Sequence, residues 1–350
     1  MSEQGRPMSS ITASPTVTKA GGLEQLAKSS RAVLSPLDSE DRFVYAARSM
    51  GAPSSSRNPV PKSRFLFLLM APAILILAAI SLYPFFWLLY MSAMEVGVGP
   101  SSDRWNNFAN YTRLLTDQNY RDGWLLLFKY SAVCMFFEVF IGILLALMLN
   151  GNRFEKYLVT ILLMPMMVSP AIAGLLWYYL YNATFGWYHW LLESAGILGN
   201  GSILASADTA LYGIAIVDIW QWTPLITLIT LAGLKRVPND QLEANLVDGA
   251  GPIRNFFQVM LPNIYPFLMI GIMLRFMDNF RFIDTILVLT GGGPGGSTRI
   301  LPVYLFDVSF QFFKLGRGAA IAFTLLIATI ILGKLLVKVF DNSAKVAAQE

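Results

Sequence analysis

Charge, cysteine and histidine are what this sequence has least of. Only 14% of its 350 residues are charged, and it has one Cys and one His, where a soluble domain carries about 25% charged residues. Cys134 sits alone in an apolar run, which leaves no disulfide framework and no CxxC pair. With His189 as the single histidine, a zinc site built from Cys and His is excluded. What is abundant is apolar: 55% of the residues are hydrophobic and the mean hydropathy is +0.53. Such a chain cannot cover itself with polar groups, so much of its surface is expected to face lipid. The net charge of +4, from 26 basic and 22 acidic residues, is too small an excess to mark a nucleic-acid binder and is better read by its position along the chain.

Six apolar segments are long enough to cross about 30 Å of hydrocarbon, which takes roughly 20 helical residues. They run from about Phe65 to Ala93, Trp124 to Leu149, Tyr157 to Tyr181, Ala210 to Leu234, Asn263 to Leu289, and Gly318 to Phe340. The first has no charged residue between Arg64 and Glu95, whereas the third is interrupted by Pro165 and Pro170. This predicts an all-α membrane domain over residues 65–340, with a short tail at 341–350. Residues 1–64 are rich in Ser, Pro and Ala and are expected to be a largely disordered tail. A short amphipathic helix through Leu23, Leu26, Ala27, Leu34 and Val44 is the other reading, limited by Gly21-Gly22 and Pro36. A secretory signal is not expected, because the first apolar run begins only at Phe65 and exceeds the short core of a signal peptide.

Basic residues set the expected orientation. An even number of spans puts both ends on one side, together with the loops at 150–156 and 235–262. That side holds nine basic residues of the tail plus Arg153, Lys156, Lys235, Arg236, Arg254, Lys334, Lys338 and Lys345. The other side holds Arg104, Arg113, Arg121, Arg299, Lys314 and Arg317, and none between 182 and 208. The positive-inside rule then predicts cytoplasmic termini.

The 235–262 loop reads as two short helices. Pro238 suits a first turn, Gly249 a left-handed cap, and Pro252 a second start that Pro262 would close before the membrane. Leu242, Leu246 and Val247 would share one face of the first helix, an apolar stripe that wants a partner. Small residues at Ala244, Gly249 and Ala250 would let that partner approach, with Glu243 and Asp248 available for charged contacts.

Glu243-Ala244, Gly249 six residues after Glu243, and the distal Leu261-Pro262 together resemble the EAA loop of permease subunits of binding-protein-dependent ABC importers. Asn245 and Val259 depart from the usual second Ala and Ile. Asn107-Phe108-Ala109-Asn110-Tyr111, with Leu114-Leu115 and Asp117, is similar to the segment after the first span in carbohydrate permeases. The run from Leu289 through Gly291-Gly292-Gly293-Pro294-Gly295-Gly296-Ser297-Thr298 looks like the glycine-rich motif of the F-type subunits of maltose transporters. It imitates a phosphate loop, but Ser297 stands where the lysine is needed. A tight external turn and a docking surface for a binding protein are the two readings left.

This resemblance implies an ABC type I importer permease fold in a bacterial inner membrane, paired with a second permease subunit. Two ATP-binding cassette ATPase subunits would bind ATP and Mg, and an extracytoplasmic solute-binding protein would deliver a sugar, sugar derivative or polyol. Glu243, Ala244, Asp248, Gly249, Ala250, Leu261 and Pro262 would then couple to the ATPase. The chain itself would have no catalytic residues, cofactor or metal.

Polar residues inside spans are costly and so become pathway candidates. Asp218, Gln221 and Trp222 lie at i, i+3 and i+4 of span 4, an aromatic ring beside hydrogen-bonding groups as a sugar would require, with Asn279 of span 5 as a fourth candidate. Holding helices together is the competing role. Arg275, Asp278, Arg281 and Asp284 recur at intervals of three in span 5 and are expected to form inward-facing ion pairs or a gate, with Glu138 of span 2 as a further partner. Trp177, Tyr178, Tyr179, Tyr181, Trp187, Tyr188 and Trp190 are expected to form an interfacial belt. Two other classes compete: a membrane enzyme, which lacks a convincing catalytic constellation here, and an ion-coupled secondary transporter or channel, whose usual internal repeat we do not find.

Overall fold

The computed structural model describes residues 62–97, 104–196 and 201–347. The 23–44 stretch and nearly all of the N-terminal tail lie outside the described residues. The chain divides into two units between Ile76 and Leu77, within the first long helix, α1 (Lys62–Ser92). In the first unit the helix presents almost uniformly exposed apolar side chains from Phe65 onward.

In the second unit α1 ends against the segment that follows it. A helix end leaves carbonyls without partners, and Asn110 supplies the donors: its amide donates to the carbonyls of Ser92 and Met94, each at 2.9 Å. Tyr111 donates to Ser92 Oγ at 2.7 Å. Two short strands, β1 (Met94–Glu95) and β2 (Arg104–Trp105), pair antiparallel, Met94 opposite Trp105. Asn110 lies on α2 (Ala109–Thr116).

Span 2 is α3 (Gln118–Leu149), six residues longer at its start than the apolar pattern predicts. Asp117 causes the extension, its carboxylate accepting from the Asn119 N–H at 3.0 Å as an N-cap. The same carboxylate also takes hydrogen bonds from Tyr304 and Arg317.

Span 4, α7 (Ala210–Leu234), is buried along much of its length. Glycine lets its neighbours approach: a Cβ on Gly142 of α3 would lie 2.7 Å from Ile226 Cγ2, and one on Gly271 of span 5 would lie 3.1 Å from Ile226 Cδ1. Close backbone contact of this kind is how helices associate where lipid removes the hydrophobic drive. The core forms two clusters, one around Leu127, Tyr130, Ile214, Phe280 and Ile286, the other around Ala146, Ile226, Leu234 and Ile264.

Span 3 is a broken element rather than one helix. It comprises α4 (Glu155–Leu163), a 3₁₀ turn (Pro165–Met167) and α5 (Pro170–Leu180), bent by 95° at the break. Proline removes a backbone donor and restricts the residue before it, so Pro165 and Pro170 place the bend. Beyond α5, helix α6 (Trp187–Ser194) changes the expected aromatic belt. Trp177 and Tyr181 are buried, and Trp177 packs edge-on against Tyr188 and Trp220. Tyr178, Tyr179, Trp187 and Trp190 are exposed. The belt is therefore half core, because the turn at 181–186 folds α6 back onto the span.

The 235–262 loop forms α8 (Asn239–Val247) and α9 (Pro252–Asn255). Pro262 does not close the second helix. A π-helical turn over Phe256–Met260 leads directly into α10 (Leu261–Asn279), so one continuous helical rod runs from Pro252 to Asn279. Pro262 falls in the first turn of α10, next to a wide turn that relieves the demands of its ring. At its other end the helix stops ten residues short of the expected Leu289. Phe280 and Phe282 are both buried, a two-residue alternation that a helix cannot present to one side. A separate helix, α11 (Asp284–Leu289), follows and packs on α5.

The glycine-rich run is a turn in which Gly291, Gly292, Gly295 and Gly296 have positive φ and Thr298 donates to the Gly293 carbonyl at 2.7 Å. Helix α12 (Leu301–Phe306), a π turn (Asp307–Gln311) and α13 (Leu315–Ala347) complete the chain. Among the described residues, 5 helices are long and apolar enough to cross a membrane, or 6 counting the bent pair.

Candidate functional site

Arg275 is the centre of the buried charge. Its Nε donates to Glu138 Oε2 at 2.8 Å and its Nη2 to Glu138 Oε1 at 2.7 Å, a bidentate pair between α10 and α3. Nη2 also donates to Asp218 Oδ2 of α7 at 2.8 Å and to Asn279 Oδ1 at 2.9 Å. Nη1 reaches Asp278 Oδ2 at 3.0 Å. The planar fork suits so many acceptors, since a guanidinium offers five N–H donors in fixed directions. Its face lies 4.9 Å from the centroid of the Trp222 ring, a cation–π contact. Spacing makes this work, because Arg275, Asp278 and Asn279 share a helix face at i, i+3 and i+4, as do Asp218 and Trp222.

Sequence reasoning separated Asp218, Gln221, Trp222 and Asn279 from the charged set, and the structure brings most of the two groups together. Asp218 and Asn279 are sealed on Arg275, and Trp222 lends it a face. Gln221 is buried too, but its Nε2 donates at 2.7 Å to the Val168 carbonyl at the break in span 3. Arg281 is 82% exposed and donates to Asp278 Oδ1 at 3.0 Å. Asp284 begins α11 and is exposed, so it stands outside the cluster; the helix break after Asn279 ends the three-residue repeat that was to align it. The sign that Asp218 belonged with Arg275 was depth. Counted from the ends nearest the 235–262 loop, Glu138, Asp218 and Arg275 lie 11, 16 and 14 residues into their helices, comparable heights at 1.5 Å per residue.

The second group lies in the loop. Gly249 has φ +76°; its N–H donates to the Leu246 carbonyl at 3.0 Å and the Ala250 N–H to the Asn245 carbonyl at 3.0 Å. This is a Schellman ending, which favours glycine. Glu243, Ala244, Asp248 and Gly249 are exposed. Ala250 is buried and so does not face a partner as expected, because the same turn tucks it inward. Leu261 packs on the inner core cluster, as does Leu242, while Pro262 is exposed. The apolar surface left outside is instead Leu246, Val247 and Ile253, at 57%, 87% and 74% exposure. Asn245, the departure from the usual alanine, has a structural use: its amide donates to Asn255 Oδ1 at 3.0 Å and ties α8 to α9.

Membrane-length helices, a buried charge cluster gathered on one arginine and a capped helical elbow between two spans mark a polytopic membrane protein. Residues 138–346 match the family model described as binding-protein-dependent transport system inner membrane component, and the chain belongs to that family. It is a permease subunit of an ABC importer. The chain is similar to the trehalose transport system permease protein SugA of Mycobacterium tuberculosis, 30% identical over 295 residues, 83% of this chain and 93% of that protein. It is similar also to the trehalose/maltose transport system permease protein MalF of Thermococcus litoralis, 34% identical over 61% of this chain and 72% of that protein. A crystal structure of a bacterial ABC transporter involved in import of the acidic polysaccharide alginate shares the fold, with a TM-score of 0.68 at 19% identity over 80% of this chain and 96% of that one.

Proposed function

We propose that this permease imports a sugar, sugar derivative or polyol, forming with a second permease subunit the two halves of an alternating-access path. The carbohydrate class rests on the trehalose and maltose systems among its relatives. Two ATPase subunits, which bind ATP and Mg, carry the permease pair, one of them docking on the elbow formed by α8 and α9, and both termini lie in the cytoplasm. The observation that carries the ATPase reading is the outward apolar set Leu246, Val247 and Ile253 on a helix fixed by the Gly249 cap. Exposed apolar residues beside a rigid elbow mark a docking surface, and Glu243 and Asp248 add charge at its edge.

In this reading the Arg275 cluster is a pin rather than a solute ligand. It joins spans 2, 4 and 5, so that a pull on α9 reaches three helices at once as a rigid-body displacement. Trp222, half-buried and with one face on Arg275, is the residue of the cluster that meets solute. Uptake of radiolabelled disaccharide into proteoliposomes holding the assembled importer tests the function. Uptake requires internal ATP and the external binding protein; uptake driven by an ion gradient without ATP would support a secondary transporter instead.

A further inference from the structure

The break in span 3 leaves the Val168 carbonyl without a backbone partner, and two distant side chains hydrogen-bond to the chain at the bend. Among the described residues no backbone N–H reaches the Val168 carbonyl; Gln221 Nε2 of α7 does, at 2.7 Å. Two residues on, Thr285 Oγ1 of α11 donates to the Pro170 carbonyl at 3.1 Å. Both side chains are buried, where an unmade hydrogen bond is expensive. Gly174 lets α11 close on α5 for this purpose, since a Cβ there would lie 3.2 Å from Val288 Cβ and 3.4 Å from Thr285 Cα. The two donors thus come from span 4 and from the segment after span 5, and they meet the same bend from two elements.

We propose that Gln221 and Thr285 are positioning residues for transport, a two-sided clasp that holds span 3 bent at Val168–Pro170 and passes movement of spans 4 and 5 to it. The inference rests on the transport reading above but concerns a geometry that can be measured without it. Releasing either bond frees the bend to open, and the outer half of span 3 then no longer follows its neighbours.

The test places spin labels at Ile161 and Tyr179, on either side of the break, in the full chain with Cys134→Ala. The intact clasp gives one short, narrow distance distribution. Thr285→Val, which keeps shape but loses the hydroxyl, and Gln221→Met, which keeps length but has no donor, shift it to longer distances. The expected rise in the opened population is roughly 2- to 10-fold, the scale of one lost hydrogen bond. Thr285→Ser retains the donor and the narrow distribution. In proteoliposomes of the assembled importer the Val and Met variants lose uptake at equal subunit content, while the Ser variant transports normally. Unchanged distances in both the Val and Met variants overturn the clasp even if uptake falls. Should the wild-type assembly not transport at all while the distances still shift, the transport reading fails and the clasp as a structural device remains.

Discussion

Arg275 and Glu138, 137 residues apart in sequence, hold each other through two parallel hydrogen bonds inside the protein, with both side chains 1% exposed. Such a pair gains little over an apolar contact of the same volume, but losing one member leaves a buried charge unmatched at a cost of about 3–5 kcal/mol. Arg275→Met strands both Glu138 and Asp218 and should lower membrane abundance and detergent melting temperature most. Glu138→Gln should do so less, and Arg275→Lys should not rescue, because an ammonium cannot reproduce the fork. Melting curves of the purified importer check the order.

Gly249 is the cap on which the elbow depends. At φ +76° a β-branched residue is strained by roughly 1–2 kcal/mol, although the space beside it is open. Gly249→Val should leave the protein in the membrane but separate ATP hydrolysis from uptake. Gly249→Asn, which tolerates the left-handed region, should retain most coupling. Parallel assays of ATPase rate and uptake distinguish the two.

Gly142 lets α3 approach α7 closely. Its missing Cβ would lie 2.7 and 2.9 Å from atoms of Ile226, so Gly142→Ala should destabilise the bundle by about 1–3 kcal/mol through overpacking. Combining it with Ile226→Val should restore part of the loss, a coupling that a double-mutant cycle in melting temperature detects.

Asn110 is a cap supplied from outside the helix it caps. Asn110→Asp keeps the shape but cannot donate to the carbonyls of Ser92 and Met94, and should cost about 1–3 kcal/mol for the buried acceptors it abandons. Protease cleavage in the segment after Ser92, faster in the variant, is the readout.

The helical class and five of six spans were legible because lipid-facing helices need only length and apolarity. The bends were less so. Pro165 and Pro170 announced the break in span 3, but nothing local to it announced that Gln221 and Thr285 would donate to carbonyls beside it. The end of α10 at Asn279 was hidden because the polar residues beyond it kept a three-residue spacing, and only the burial of both Phe280 and Phe282 ends the helix there. In the elbow, the Gly249 cap was readable from residue type alone, whereas the inward turn of Ala250 depends on the Schellman bonds. The cluster around Arg275 is only partly legible in any one span, because Asp218 joins it only when depths in separate helices are compared.

Co-purification tests the central claim most directly: tagged protein extracted from its native membrane in mild detergent, with partners identified by mass spectrometry. The account predicts recovery of an ATP-binding cassette ATPase and a second multi-span permease. Recovery of the chain alone, stable and able to transport by itself, would contradict it.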